Sequence, residues 1–246
     1  MGIVCALAAE ARHFGPATWR QKSLGSLADG TLLAVSGMGA SAAAAGARAL
    51  IEAGVTALVS FGLAGGLDPS LSAGAIFLPS EVIAADAGAD AIVTAQHWRE
   101  QLGRALAPHG AAARGALLHG PLVHGRLLSS PTAVGTVAQK AQLFRQTGAC
   151  AVDMESWAVG QVASSRQLPF LAVRVIVDAA ADVLPRAVSA AADSAGTLQL
   201  WRLLGVLARS PADLAPLLRL ALRYRVASRS LARVARAGAL VPHAFS

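Results

Sequence analysis

Short apolar runs and helix-period segments alternate along the first three quarters of the chain. Runs at 2–7, 31–36, 56–61, 75–84, 115–123, 149–152 and 169–177 are rich in Val, Ile, Leu and Ala and read as buried strands. Segments 40–53, 97–107, 132–146 and 154–166 space their apolar residues at helical intervals and read as helices of about twelve residues. Strands buried on both faces and separated by such helices predict an α/β fold, a central mixed sheet flanked by helices in three layers. Asp182-Val183-Leu184-Pro185 closes this pattern, giving a body at 1–185. Residues 186–246 form an extension read as two helices, 186–208 and 211–236, divided by Ser210-Pro211, a good N-cap followed by Pro at the first helical position.

In folds of this class, sites lie at the carboxyl ends of strands. Three acids stand where apolar runs end. Glu10 follows Ile3–Ala9, Glu155 lies in Ala151-Val152-Asp153-Met154-Glu155, and Asp178 ends Val173-Arg174-Val175-Ile176-Val177-Asp178. Acids are seldom buried without a partner or a task, so three in this context predict one shared site. Ser36-Gly37-Met38-Gly39-Ala40-Ser41 joins a strand to an Ala-rich helix whose first amides suit an anion or a ribose hydroxyl. Gly62-Leu63-Ala64-Gly65-Gly66-Leu67 reads as a loop that lets backbone approach a flat ligand. Neither is a dinucleotide fingerprint. Bland readings stand beside each: a helix-start acid for Glu10 and Glu155, a strand-end partner of Arg174 or Arg186 for Asp178, and a structural role for Asp153.

Composition narrows the choice. With 54% hydrophobic residues the chain can bury a full core. Its two cysteines, Cys5 and Cys150, sit in strand-like runs and read as buried thiols, and no His/Cys spacing suggests a metal. No predominantly apolar, uncharged run reaches the roughly 20 residues of a membrane span, and the first residues lack the basic region of a signal peptide. A cytoplasmic protein is expected. The net charge of +7 resides entirely in residues 197–246, which hold Arg202, Arg209, Arg219, Arg223, Arg225, Arg229, Arg233 and Arg236 against Asp213 alone.

Ala9-Glu10, Ser36-Gly37-Met38-Gly39, Gly62–Leu67, Val152-Asp153-Met154-Glu155 and Arg174–Asp178 resemble, in order, the motifs of the nucleoside phosphorylase and nucleosidase superfamily. The resemblance spans about 1–182 and is nearest to nucleosidases that cleave adenine from 5'-substituted adenosines. With its basic two-helix tail, the chain resembles the hopanoid-associated phosphorylase group, linked to adenosylhopane, a triterpenoid joined to the adenosine 5' carbon. The resemblance implies Asp178 as the acid at adenine N7, Glu10 as the base that activates water, and Glu155 as the residue gripping the ribose hydroxyls. It implies Met154 against the sugar face, with Gly39, Leu63 and Gly65 also lining the substrate site. It implies no metal or redox cofactor, with phosphate as the one possible co-substrate, and a homo-oligomer. Segment 126–132 is the expected loop beside the adenine.

The main fork is hydrolysis or phosphorolysis. A phosphorylase needs cations and hydroxyls beneath the ribose; the matching positions are Ser60 and Leu63, and Leu63 offers no such side chain. Arg48 and Arg126 are the substitutes to check. Glu10 favours water. Leu63 stands where a small polar residue is usual, and Val177 where Ser often precedes the acid.

Around 211–236, Leu214, Leu217, Leu218, Ala221, Leu222, Leu231 and Val234 interleave with arginines, and Arg225, Arg229, Arg233 and Arg236 stack along one helix face. Two readings stand: an interfacial helix on an anionic membrane, or a helix docked on the body. Nucleic acid is disfavoured, because aromatic stacking platforms are missing. The leading expectation is a peripheral membrane glycosidase releasing adenine from adenosylhopane to leave ribosylhopane. Alternatives are a soluble methylthioadenosine or adenosylhomocysteine nucleosidase, a phosphorylase yielding phosphoribosylhopane, and a non-catalytic nucleoside-lipid binder. Deleting 209–246 is expected to spare activity on a short soluble substrate.

Overall fold

The structure, a computed structural model, describes residues 1–19, 23–86, 88–107, 122–184, 214–238 and 240. Its strands are β1 (Gly2–Cys5), β2 (Thr18–Trp19), β3 (Leu24–Ser26), β4 (Leu32–Val35), β5 (Leu58–Gly66), β6 (Ile76–Ala84), β7 (Ile92–Val93), β8 (Leu122–Ser129), β9 (Ala151–Asp153) and β10 (Phe170–Asp178). The helices are α1 (Ala8–Ala11), α2 (Ala40–Glu52), α3 (Gln96–Leu106), α4 (Val137–Thr147), α5 (Ser156–Ser164) and α6 (Leu214–Arg236).

The strands join in one mixed sheet. β5 is its axis: it pairs in parallel with β1 on one edge and with β10 on the other, and its last two residues pair antiparallel with β9. From β9 the pairing runs through β8 and β6 to β10 and so back to β5, a closed ring of five strands. β4, β3 and β2 extend the sheet beyond β1.

Alternation along each strand sorts side chains onto two faces. Val59 and Phe61 of β5 and Leu171, Val173 and Val175 of β10 pack with Trp98 and Leu102 of α3 and Ala227, Leu231 and Val234 of α6. Leu58, Ala64, Ala172 and Ile176 point the other way, onto Ala43, Ala47 and Leu50 of α2 and Val159, Val162 and Ala163 of α5. Each layer covers one face, which is why the strands carry continuous apolar runs. Arg174 shares its parity with Ala172 and Ile176, so a cation is inserted into an apolar layer. Asp178 lies at the end of the same strand.

The sequence reading and the structure differ in places. The run at 62–67 continues as strand β5 to Gly66 rather than opening a loop, because its glycines pair with β10 and β9 at once. β8 is described from Leu122 and runs on to Ser129, beyond the expected end at 123, while 115–121 of the expected strand lie outside the described residues. β1 stops at Cys5, so Glu10 rides on the short helix α1. The expected helix 186–208 and the Ser210-Pro211 cap lie outside the described residues.

The last helix is docked on the body. Ala227, Leu231 and Val234 are fully buried in the α3 layer. Ser230 Oγ donates to Gly74 O at 2.8 Å, Ser228 Oγ and His13 Nε2 are 3.2 Å apart, and Arg233 donates to Leu106 O. Trp98 Nε1 donates to Leu240 O at 3.0 Å. Deleting 209–246 would strip this layer from the sheet, so the expected sparing of activity does not follow. Leu218 and Leu222, by contrast, are 58% and 60% exposed. The apolar positions of α6 therefore divide between a buried C-terminal half and an exposed pair nearer its start.

Candidate active site

Glu10 is 3% exposed. The α1 turn carries its carboxylate back over the end of β1, where Oε2 accepts from Leu7 N and Oε1 from Leu63 N, both at 3.0 Å. Leu63 thus serves the site through its amide, while its side chain lines the cleft. Burial raises the Glu10 pKa against the opposing pull of Arg174. Gly62 explains part of the glycine run: a Cβ there would lie 2.6 Å from Glu10 Oε1 and 2.8 Å from Arg174 Nη1. Only glycine lets the carboxylate and the guanidinium meet over this strand.

Arg174 is the buried hub. Its Nε donates to Asp153 Oδ2 at 2.7 Å, and its Nη2 donates to Ser60 Oγ at 2.7 Å and Ser156 Oγ at 3.0 Å. Glu155 Oε2 lies 4.0 Å from Nη2. Asp153 also accepts from Ser129 Oγ at 2.5 Å and from Ser156 N at 3.1 Å. Its structural reading fits this geometry, as it holds Arg174 and the start of α5. Sequence reasoning gave Arg174 no part beyond a motif letter and a candidate partner of Asp178. The register Arg174↔Gly62, one pair on from Ser60 on the same face, becomes visible only once β5 and β10 pair.

Glu155 sits at the N-cap of α5 and reaches across to a second helix start. Gly39 N donates to Glu155 Oε1 at 2.8 Å, and Met154 N donates to Oε2 at 3.3 Å. Gly39 has φ +92°, a conformation that favours glycine, and it caps α2. The anion expected at this helix start is thus the protein's own carboxylate, set against the positive end of α2. Burial first, and then the charge of Asp153, raise the Glu155 pKa to about 7. At neutral pH such a group exchanges its proton readily and can accept hydroxyl hydrogens when ionised.

Among the described residues Asp178 pairs with Lys140 of α4 and not with Arg174; the other expected partner, Arg186, lies outside them. The Lys140 side chain is fully buried and donates to Asp178 Oδ2, to Ala179 O at 2.7 Å and to Asp182 O at 3.0 Å. Burial raises the Asp178 pKa and the Lys140 ammonium opposes it. A Cβ on Gly65 would sit 3.4 Å from both Asp178 oxygens, so Gly65 keeps the approach to this acid open. Nothing in the sequence pointed to Lys140, which stands 38 residues from its partner in a helix read as ordinary.

One open cleft of about 180 Å³ joins these groups. Glu10, Asp153, Glu155 and Asp178 line it with Met38, Leu63, Gly65, Val152, Met154 and Val177. Glu10, Met154, Glu155, Leu63, Gly65 and Asp178 line it together, and Gly39 supports Glu155 from behind. Of the expected adenine-side loop, Thr132 lines the cleft with Ala133 and Val134. Arg126 does not: it pairs with Glu81 at 2.8 Å and donates to Thr147 O at 2.8 Å. Arg48 is exposed on α2. Ser60 is taken up by Arg174 and Ser156. Among the described residues, the cations nearest the cleft, Arg174 and Lys140, are both engaged by carboxylates.

The sequence pattern of the phosphorylase superfamily matches residues 2–203. The chain belongs to the phosphorylase superfamily, the group of nucleoside phosphorylases and nucleosidases. No curated protein matches it. Among solved structures it is similar to the 5'-methylthioadenosine/S-adenosylhomocysteine nucleosidase of Neisseria meningitidis in complex with methylthio-immucillin-A. That pair has TM-score 0.65 and 18% identity over 95% of this chain and 96% of the other. A Helicobacter pylori nucleosidase variant with 5'-methylthioadenosine in its active site gives TM-score 0.61 and 19% identity over 74% of this chain and 86% of that one. The futalosine hydrolase of Helicobacter pylori gives TM-score 0.61 and 20% identity over 74% and 85%. These likenesses show the superfamily's fold. The Neisseria match extends beyond what residues 1–185 alone supply, in keeping with α6 being part of the packed body.

Proposed function

We propose that this superfamily member hydrolyses the N-glycosidic bond of a 5'-substituted adenosine, releasing adenine. The observation that carries the reading is the convergence of Glu10, Glu155 and Asp178 on one cleft, each buried and each with its pKa raised. Breaking this bond requires a proton on the departing purine, stabilisation of a cation-like ribose and a nucleophile beneath it. Asp178 is the proton donor to N7, with Gly65 leaving room for the flat base. Glu155 accepts the ribose hydroxyls, and its negative charge steadies the sugar as positive charge develops. Met154 packs against the sugar. Glu10, with a raised affinity for protons, takes the proton of the attacking water. Two fixed amides, those of Leu7 and Leu63, keep the base oriented. Neighbours of this fold that bind 5'-methylthioadenosine or its analogues support the substrate class.

Water is favoured over phosphate because the described lining supplies carboxylates, which repel a phosphate dianion, and Ser60 is already committed. For the 5' substituent we propose the hopane of adenosylhopane, as the resemblance of the body and basic tail implies. Leu63 gives the cleft an apolar wall, and Leu218 and Leu222 expose apolar surface beside the exposed Arg219 and Arg225. That combination suits contact with an anionic bilayer carrying the lipid-linked nucleoside. Among the described residues no helix is long and apolar enough to cross a membrane.

The test is adenine release from adenosylhopane in detergent, with 5'-methylthioadenosine in parallel. Faster turnover of the hopanoid supports the lipid substrate. Faster turnover of 5'-methylthioadenosine makes the chain a nucleosidase of small soluble substrates. Release from neither overturns the proposed activity.

A further inference from the structure

The Lys140–Asp178 pair sits badly with a simple acid. A carboxyl that protonates a purine must carry a proton, yet Asp178 Oδ2 faces an ammonium whose three hydrogens all have acceptors: Asp178 Oδ2, Ala179 O and Asp182 O. Full satisfaction of this kind stabilises the charged lysine, and hence the ionised partner, in a buried setting. Lys140 is also placed against the helix dipole. It lies in the first turn of α4, whose start is fixed by the reciprocal Thr136–Gln139 cap, and a cation there is disfavoured. A residue held so deliberately in an unfavourable place is not serving the helix. The choice of cation matters too. Of 21 Lys and Arg residues only Lys22 and Lys140 are lysines, so this buried cation is one that can give up its proton where an arginine cannot.

We infer that Lys140 is a positioning residue that supplies, through Asp178, the proton delivered to the departing purine. This rests on the glycosidase reading above. In the resting site the proton is on Lys140 and Asp178 is ionised. As the bond from C1' to the purine nitrogen breaks, its electron pair goes to the base. The proton on Nζ passes to Asp178, and Asp178 gives one to N7. The water oxygen bonds to C1' and its proton goes to Glu10. Glu10 then loses that proton to solvent, and the Lys140–Asp178 pair regains one, so the enzyme is restored and one water is consumed.

Among the described residues, the other charged groups around the pair are Asp182, whose Oδ2 accepts from Ala179 N at 2.9 Å, and Arg223 of α6, which pairs with Asp182 Oδ1 at 2.7 Å. Glu10, Asp153 and Glu155 share the cleft with Asp178. Asp182 and Arg223 neutralise one another, which leaves Lys140 and Asp178 as the couple whose proton is exchanged.

The experiment compares the full-length wild type with Lys140→Arg and Lys140→Met on two substrates. 5'-Methylthioadenosine needs its leaving base protonated; p-nitrophenyl riboside does not. Arginine keeps the charge but not the releasable proton. Lys140→Arg is expected to keep KM within about threefold and lose about 100-fold or more in kcat on 5'-methylthioadenosine, while p-nitrophenyl riboside turnover stays near wild type. Lys140→Met leaves Asp178 to lose its proton alone, so the alkaline limb of 5'-methylthioadenosine cleavage is expected to move to lower pH. In the wild type, that limb should be present for the nucleoside and missing for the nitrophenyl riboside, a readout that needs no variant to fold. Wild-type turnover by Lys140→Arg, equal losses on both substrates, or an identical alkaline limb for both substrates would overturn the inference. Where only adenosylhopane is cleaved it takes the place of 5'-methylthioadenosine in each comparison, and a wild type that releases adenine from neither overturns the glycosidase reading on which the inference rests.

Discussion

Glu10, Glu155 and Asp178 all hold their protons more tightly in the folded chain than an exposed carboxyl does. For Glu155 the folded value of about 7 lies above the ordinary 4.5, so between those values the folded form binds more protons than the unfolded one. Stability therefore falls as pH rises through that window. Thermal unfolding from pH 4.5 to 7 should show this decline, and Glu155→Gln, which removes this group's share of the titration, should make it shallower. The same substitution should lower kcat/KM at pH 8 by about 100-fold, since an amide supplies no charge to the sugar. Glu10→Gln is expected to bind a nucleoside analogue near wild-type affinity by calorimetry and to lose most of its turnover. Unchanged turnover would remove Glu10 from the chemistry. Asp153→Asn should act through Arg174: weakening one side of a buried ion pair is expected to cost about 3 kcal/mol in denaturant unfolding. These acids were legible because they punctuate apolar runs. Their partners were not. The Gly39 amide meets Glu155 across 116 residues, and Lys140 meets Asp178 from a separate helix. No periodicity encodes either approach.

Among elements, β5 carries the most information per residue. It builds both faces of the core, pairs with three strands, donates the Leu63 amide to Glu10 and leaves space at Gly62 and Gly65. Gly62→Ala should push apart Glu10 and Arg174, with an expected loss of at least tenfold in kcat/KM and a smaller fall in melting temperature. An active variant with both values unchanged would contradict the close approach. The sequence reading ended this strand at residue 61 because a glycine run ordinarily breaks a strand, whereas here pairing on both edges overrides that tendency. Longer segments were easier. α2, α3 and α5 fall close to their expected positions because each has more than two turns of consistent apolar spacing, whereas α4 starts at Val137, five residues into the expected 132–146, after its Thr136 cap. β2, β3 and β7 are two or three residues long and left no readable pattern.

At the scale of the whole molecule, the basic tail divides its work. Leu231 and Val234 close the sheet layer, while Arg223 grips Asp182, whose backbone oxygen in turn holds Lys140. Charge counting separated this tail from a neutral body, but could not distinguish the leucines that bury from those that do not. Leu218 and Leu222 are the exposed pair. Changing both to Glu should leave the melting temperature within about 1 °C and abolish sedimentation with anionic phosphatidylglycerol vesicles. Retained sedimentation would remove this surface from any membrane contact. Arg223→Ala, by loosening the turn after Asp178, is expected to reduce kcat severalfold with little change in KM.

The most direct test of the glycosidase claim is the identity of the sugar product formed from 5'-methylthioadenosine in ¹⁸O-enriched water containing phosphate. Free adenine together with one ¹⁸O at C1' of an unphosphorylated sugar is the predicted result, with the same rate when phosphate is omitted. A sugar 1-phosphate without the label, or no adenine from either this substrate or adenosylhopane, would contradict it.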